Sequence, residues 1–147
     1  MPRNLTVRRC VGWLMRRLPR LLALVWAAWC VATAVAYVHH VPEQLQAVDG
    51  AFKAPVWTVW AAAATLLVLG MLAPATSHAK VKDFSRWLRI TGMSIAAAML
   101  TMWTIAFFIA EPRGWVSGKN YALLALMALF TTWTIARDGA PRHRGEP

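Results

Sequence analysis

Eighteen consecutive residues without a charge, Leu21–Val38, constrain this chain more than any other stretch. As a helix the run is about 27 Å long, close to the hydrocarbon depth of a bilayer. Six arginines stand before it (Arg3, Arg8, Arg9, Arg16, Arg17 and Arg20), and His39 and His40 open a polar loop behind it. Cations on one side only give a spanning helix a direction, because Lys- and Arg-rich flanks are retained in the cytoplasm. The first span therefore sets the side on which every later loop falls.

Three further apolar runs follow, at 56–72, 90–110 and 121–136, in a chain of 147 residues that is 59% hydrophobic with mean hydropathy +0.45. The sequence predicts an all-α fold: a polytopic membrane protein with four transmembrane helices in an antiparallel bundle, a basic leader (1–20) and a charged tail (137–147). Four spans place the leader, the loop 73–89 and the tail on one side, with thirteen cations. The other side holds Lys53, Arg113 and Lys119. Acids divide evenly, three to each side, so the +10 net charge lies wholly on the first side. That imbalance predicts a multi-pass protein of the inner (plasma) membrane with both termini cytoplasmic. Anionic lipid head groups are the expected partner of these cations; nucleic acid is not.

Short interfacial amphipathic helices are expected beside the spans. In residues 5–18, Val7, Val11, Leu14 and Leu18 share one face, while Arg9, Arg16 and Arg20 share the other, and Pro19 is expected to end or kink the segment. The loop 73–89 repeats the pattern with Val81, Phe84 and Leu88 opposite Lys80, Lys82, Arg86 and Arg89. Pro42 is placed to start a short helix ended by Gly50, and Glu111-Pro112-Arg113-Gly114-Trp115 reads as a tight reversal. Trp57, Trp87 and Trp115 are the expected interfacial anchors, with Trp60 also read as an interface marker.

Within the spans, Ala28, Ala32 and Ala36 recur every four residues, as do Ala128, Thr132 and Ala136. Small residues at this spacing let helices approach closely, so both sets are candidate packing faces. Thr91, Ser94, Thr101 and Thr104 form the one polar stripe. Such hydroxyls either line a water path in an oligomer or, more commonly, bond to a helix backbone. Thr101–Ala106 and Thr131–Ala136 resemble each other, Thr-Met-Trp-Thr-Ile-Ala against Thr-Thr-Trp-Thr-Ile-Ala.

The chemistry of the chain is sparse. No span contains Asp, Glu, Lys, Arg or His, the residues that carry coupling in ion-driven transporters. No catalytic motif, phosphate loop or metal-type Cys spacing appears, so no catalytic residue, metal or cofactor is expected. His39, His40, Glu43 and Asp49 make at best a weak metal constellation, because adjacent histidines on a helix point apart. Cys10 and Cys30 fall at different depths and do not predict a disulfide. Ala34-Val35-Ala36 matches a signal-peptidase site, but the apolar run is long and further spans follow, so the first helix is expected to stay uncleaved.

The length, four spans, arginine-rich leader, tryptophan-rich spans and Glu111–Trp115 turn resemble small membrane proteins of actinobacteria and their phages. Some of those are holins, which accumulate in the inner membrane and permeabilise it, and the charged stretch Arg137–Pro147 is similar to a holin tail. The resemblance implies a non-enzymatic, self-associating membrane protein. The alternatives are an accessory or scaffold subunit of a larger membrane complex, or a small transporter or channel.

Overall fold

The computed structural model describes residues 3–51, 54–72, 78–110 and 114–137, with the backbone alone for residues 3–16. Five helices follow one another: α1 (Arg3–Tyr37), α2 (Glu43–Ala51), α3 (Val56–Met71), α4 (Ala79–Ala110) and α5 (Gly114–Arg137). No strand occurs among the described residues. Arg17–Tyr37 of α1 and Ala79–Ile109 of α4 are long and apolar enough to cross a membrane. α3 is equally apolar in character but has 16 residues.

Several expected boundaries are corrected. α1 does not end at Pro19, which lies buried inside one continuous helix of 35 residues. A proline removes a single N–H, here the one that would reach the Met15 carbonyl, and the Arg- and Leu-rich flanks favour helix on both sides. Nor is the basic segment after residue 78 a separate interfacial helix: it forms the first turns of α4, which runs unbroken for 32 residues. No proline and only Gly92 stands between its ends, so nothing terminates it. α5 begins at Gly114, ahead of the expected span, and takes Gly114 and Trp115 into its first turn. Residues 111–113 of the expected reversal, the tail beyond Arg137, the amphipathic pattern of the leader through Arg16, and Cys10 lie outside the described residues and side chains.

α1 lies along α3, α3 along α4, and α4 along α5, while α1 and α5 meet over a shorter length. Successive long helices are antiparallel. Ser85 Oγ of α4 donates to the Gly70 carbonyl of α3, whereas Trp103 far along α4 meets Trp60 near the start of α3. Phe107 stacks on Tyr121 of α5. Trp26 Nε1 of α1 donates to Thr131 Oγ1 of α5 at 3.2 Å, closing the bundle.

α2 rests on α4 and buries Leu45 completely. It also completes α3. Pro55 occupies the N-cap of α3 and offers no side-chain acceptor, so the Val56 N–H donates to Asp49 Oδ1 at 2.8 Å instead. A carboxylate there satisfies a first-turn donor and opposes the positive end of the helix dipole.

On α1 and α5 the buried face is small and the exposed face is large, while Trp60, Trp103, Leu67, Met93 and Leu100 fill the centre. The buried positions are rich in alanine: Ala23, Ala27 and Ala34 on α1, Ala63 and Ala64 on α3, Ala96 and Ala97 on α4, Ala125 and Ala128 on α5. Glycine brings α3 and α4 closest. A Cβ on Gly92 would lie 2.9 Å from the Ala63 carbonyl oxygen, and one on Gly70 would run into Arg89 and Ser85. Large apolar side chains instead face out, as with Leu24, Val25 and Val35 of α1 and Leu123, Leu126 and Phe130 of α5.

Candidate functional site

Within the chain, α1 packs through a different face from Ala28, Ala32 and Ala36. Ala28, Ala32 and Ala36 are all exposed. The side used inside the chain carries Ala23, Ala27, Cys30 and Ala34, with Trp26 and Thr33 beside it. At helical spacing the two alanine sets lie on nearly opposite sides. Both repeat at close-packing intervals, and Trp26, which needs the Thr131 acceptor, selects the one turned inward. On α5, Ala128 is fully buried and Thr132 half-buried, but Ala136 is exposed; the row that packs is Gly118, Ala125, Ala128, Thr131 and Ile135.

The polar stripe of α4 lies outside the bundle. Thr91, Ser94 and Thr101 are exposed and Thr104 is half-buried. Thr101 and Thr104 donate to the carbonyls of Ala97 and Leu100, each at 2.8 Å. Thr33, Thr65, Thr131, Thr132 and Thr134 bond back one turn in the same way. A hydroxyl satisfied on its own backbone makes no demand on its surroundings, which suits an apolar solvent.

Of the expected anchors, Trp87 and Trp115 are exposed and Trp57 is half-buried; Trp115 packs edge-on against Phe108 at 5.1 Å. Trp60 is fully buried within the bundle rather than presented on its surface. In the polar loop, His39, His40 and Glu43 are exposed, and Asp49 is committed to Val56. No group of three His, Cys, Asp or Glu side chains converges among the described residues.

The most concentrated constellation is aromatic. Trp103 of α4 sits with its ring centre 5.1 Å from Tyr37 of α1, 5.0 Å from Trp60 of α3 and 5.3 Å from Tyr121 of α5. Each long helix thus contributes one ring, and Phe107 extends the cluster by stacking on Tyr121 at 5.2 Å. The Tyr37 phenol interacts with that of Tyr121. The indole N–H groups of Trp60 and Trp103 are buried without a hydrogen-bond acceptor among the described residues; the surrounding ring faces provide only weak N–H···π acceptance. Edge-to-face pairs of this kind contribute about 0.5–1.5 kcal/mol each beyond burial. The cluster is a rigid joint between four helices.

The opposite end is joined by small and polar groups. Arg89 is buried, and its Nε donates to the Ser85 carbonyl at 3.4 Å while its stem fills the space beside Gly70. Arg86 pairs with Asp83 at 3.5 Å on the outer face, a contact worth little in water.

Sequence reading places none of the aromatic cluster together. The signal lies in the reversals: Trp103 and Tyr121 stand nine residues to either side of Pro112, so an antiparallel hairpin brings them level. No protein-family model matches the chain, and neither a curated protein nor a solved structure matches it.

Proposed function

We propose that this chain is a four-span protein of the inner membrane, with both termini cytoplasmic, that acts without catalysis by assembling with copies of itself and permeabilising the bilayer as a holin does. The observation supporting the membrane reading is the large apolar surface left exposed on the long helices, which on α1 and α5 lies opposite a buried face rich in alanine. In water, exposed Leu, Val, Phe and Trp over so much of the surface would drive aggregation. In lipid there is no such penalty, and helices associate through close packing, which alanine and glycine provide. The exposed apolar residues of α3 and α5 support reading them as the second and fourth spans. Polar side chains supporting a non-catalytic role are those spent on joining helices, namely Trp26 to Thr131, Ser85 to Gly70 and Asp49 to Val56.

Permeabilisation is supported by the outward hydroxyls of α4, which an assembly can enclose. The test is inducible expression in a bacterial host with continuous recording of membrane potential, beside a scrambled four-span control. Depolarisation specific to the native sequence is expected; a steady potential at high expression overturns the reading. Topology is checked separately, with a reporter after Arg137 reading cytoplasmic and one beside Asp49 reading external.

A second reading, an accessory subunit of a larger complex, is favoured by one observation. The exposed Ala28, Ala32 and Ala36 face of α1 is shaped to accept another protein's helix. It predicts a stable co-purifying partner and harmless expression.

A further inference from the structure

α5 ends in a ladder of two rings and a guanidinium. The ring centres of Phe130 and Trp133 lie 5.7 Å apart, and the Arg137 guanidinium carbon lies 4.5 Å from the Trp133 ring centre. All three side chains are exposed. Helical spacing puts them on one face, which continues toward the middle of the span through Leu126 and Leu123, both exposed. From Arg137 to Leu126 the row is about 16 Å long, half of a hydrocarbon core about 30 Å thick.

The stack determines what the guanidinium can still do. A guanidinium over a ring is held by its flat face, while its N–H donors lie in its own plane and point away from the ring. Arg137 makes no ion pair and no side-chain hydrogen bond among the described residues. Its donors are therefore oriented and uncommitted. Two parallel N–H groups of such a fork match two oxygens of a phosphate.

Charge at this level of the bundle points to the same ligand. Arg20 stands 17 residues from Tyr37, Arg86 stands 17 from Trp103, and Arg137 stands 16 from Tyr121. Those three rings meet in the aromatic joint, so the three arginines lie level, about 25 Å from it. Asp83 is the one acid described at this end, and it pairs with Arg86.

We infer that the ladder seats an anionic phospholipid, with the phosphate on the Arg137 guanidinium and an acyl chain along Trp133, Phe130 and Leu126. The inference rests on the proposed membrane setting and gives the lipid partner a definite place. The surplus of arginine at this level repels a head group that carries its own ammonium, so phosphatidylglycerol fits and phosphatidylcholine does not. A free phosphate ion would meet the guanidinium alone, in water, where a single exposed pair is weak. The rings and leucines below Arg137 are what make the face selective for a lipid.

The test is native mass spectrometry of the full-length protein released from micelles holding equal amounts of phosphatidylglycerol and phosphatidylcholine. The wild type is expected to retain phosphatidylglycerol over phosphatidylcholine by about fivefold or more. Arg137→Gln and Trp133→Ala are expected to bring that ratio close to one. Lys119→Gln, which removes a cation from the other end of α5, is expected to leave it unchanged. Positions 133 and 137 point outward, so the fold is retained, as unchanged thermal unfolding in lipid-free micelles verifies. In a second arm, phosphatidylglycerol is expected to raise the unfolding midpoint of the wild type, and inorganic phosphate at the same concentration is not. Equal retention of the two lipids by the wild type overturns the inference. So do a preference undiminished in Arg137→Gln, an equal loss in Lys119→Gln, and equal stabilisation by inorganic phosphate. Depolarisation by a protein without lipid preference overturns the site and leaves the proposed function standing. Selective retention at a steady potential supports the site and overturns permeabilisation.

Discussion

The hexapeptides Thr101–Ala106 and Thr131–Ala136 differ at one position, yet the bundle uses them in opposite rotational phase. In the first copy Trp103 is buried at the centre of the aromatic cluster, while Thr101 and Ile105 face out. In the second, Thr131 and Ile135 are buried and Trp133 is half exposed, with the Arg137 guanidinium 4.5 Å from its ring centre. Both copies are helical, and both sets of threonines bond back to their own helix. What differs is the company. α4 lies between α3 and α5 and meets rings from three other helices, whereas α5 is at the side of the row and needs an acceptor for Trp26. Local sequence supplies two usable faces, and the neighbours choose between them.

Paired substitutions break or sharpen this comparison, each measured as thermal or denaturant unfolding in detergent micelles. The largest contrast is at tryptophan. Trp103→Ala removes the ring that joins four helices and is expected to cost about 3 kcal/mol, the lower end for such truncations because the lipid-like setting keeps only the cavity and contact losses. Trp133→Ala is expected to stay within about 0.5 kcal/mol, as outward substitutions do. Equal losses at the two sites would show that the phases are not opposite.

The isoleucine pair reverses the order. Ile135→Ala opens a cavity beside Thr131 and should cost about 2 kcal/mol, and Ile105→Ala about 0.5 or less. The smallest contrast is at threonine. Thr131→Val strips Trp26 Nε1 of its acceptor and is expected to cost about 0.6 kcal/mol, a usual value for an interhelical hydrogen bond in a membrane. Thr101→Val should leave unfolding unchanged, since its hydroxyl serves only its own helix. A Thr101→Val loss as large as that of Thr131→Val would place Thr101 inside the bundle.

Helical regions were readable from apolar runs because 3.6-residue helices of Ala, Leu, Val and Met are the one backbone solution to long uncharged stretches. The start of α2 was readable from Pro42, but the helix runs through Gly50 to Ala51. Continuity was not: Pro19 looks like a terminator, yet the helix-favouring flanks carry α1 past it. The face of α1 was not readable either, since Ala23, Ala27 and Ala34 and Ala28, Ala32 and Ala36 satisfy the same small-residue rule from opposite sides. The burial of Trp60 was not readable because tryptophan is at home both at an interface and in a core, and its neighbour Trp57 has the more exposed position. Asp49 was legible only as a loop acid. Its service to Val56 depends on a chain reversal that brings the end of α2 to the start of α3.

α3 is the shortest of the four long helices. Its 16 residues extend about 24 Å, half the reach of α4 beside it. Inside a bilayer, a span that short is in negative hydrophobic mismatch: the lipids beside it must thin, or the bundle must lean, at a cost of a fraction of a kcal/mol per ångström. The two glycine contacts lock α3 to α4, so it cannot relieve the strain alone. On the proposed four-span reading, the preferred bilayer is therefore thinner on the α3 side of the bundle than on its α4 side.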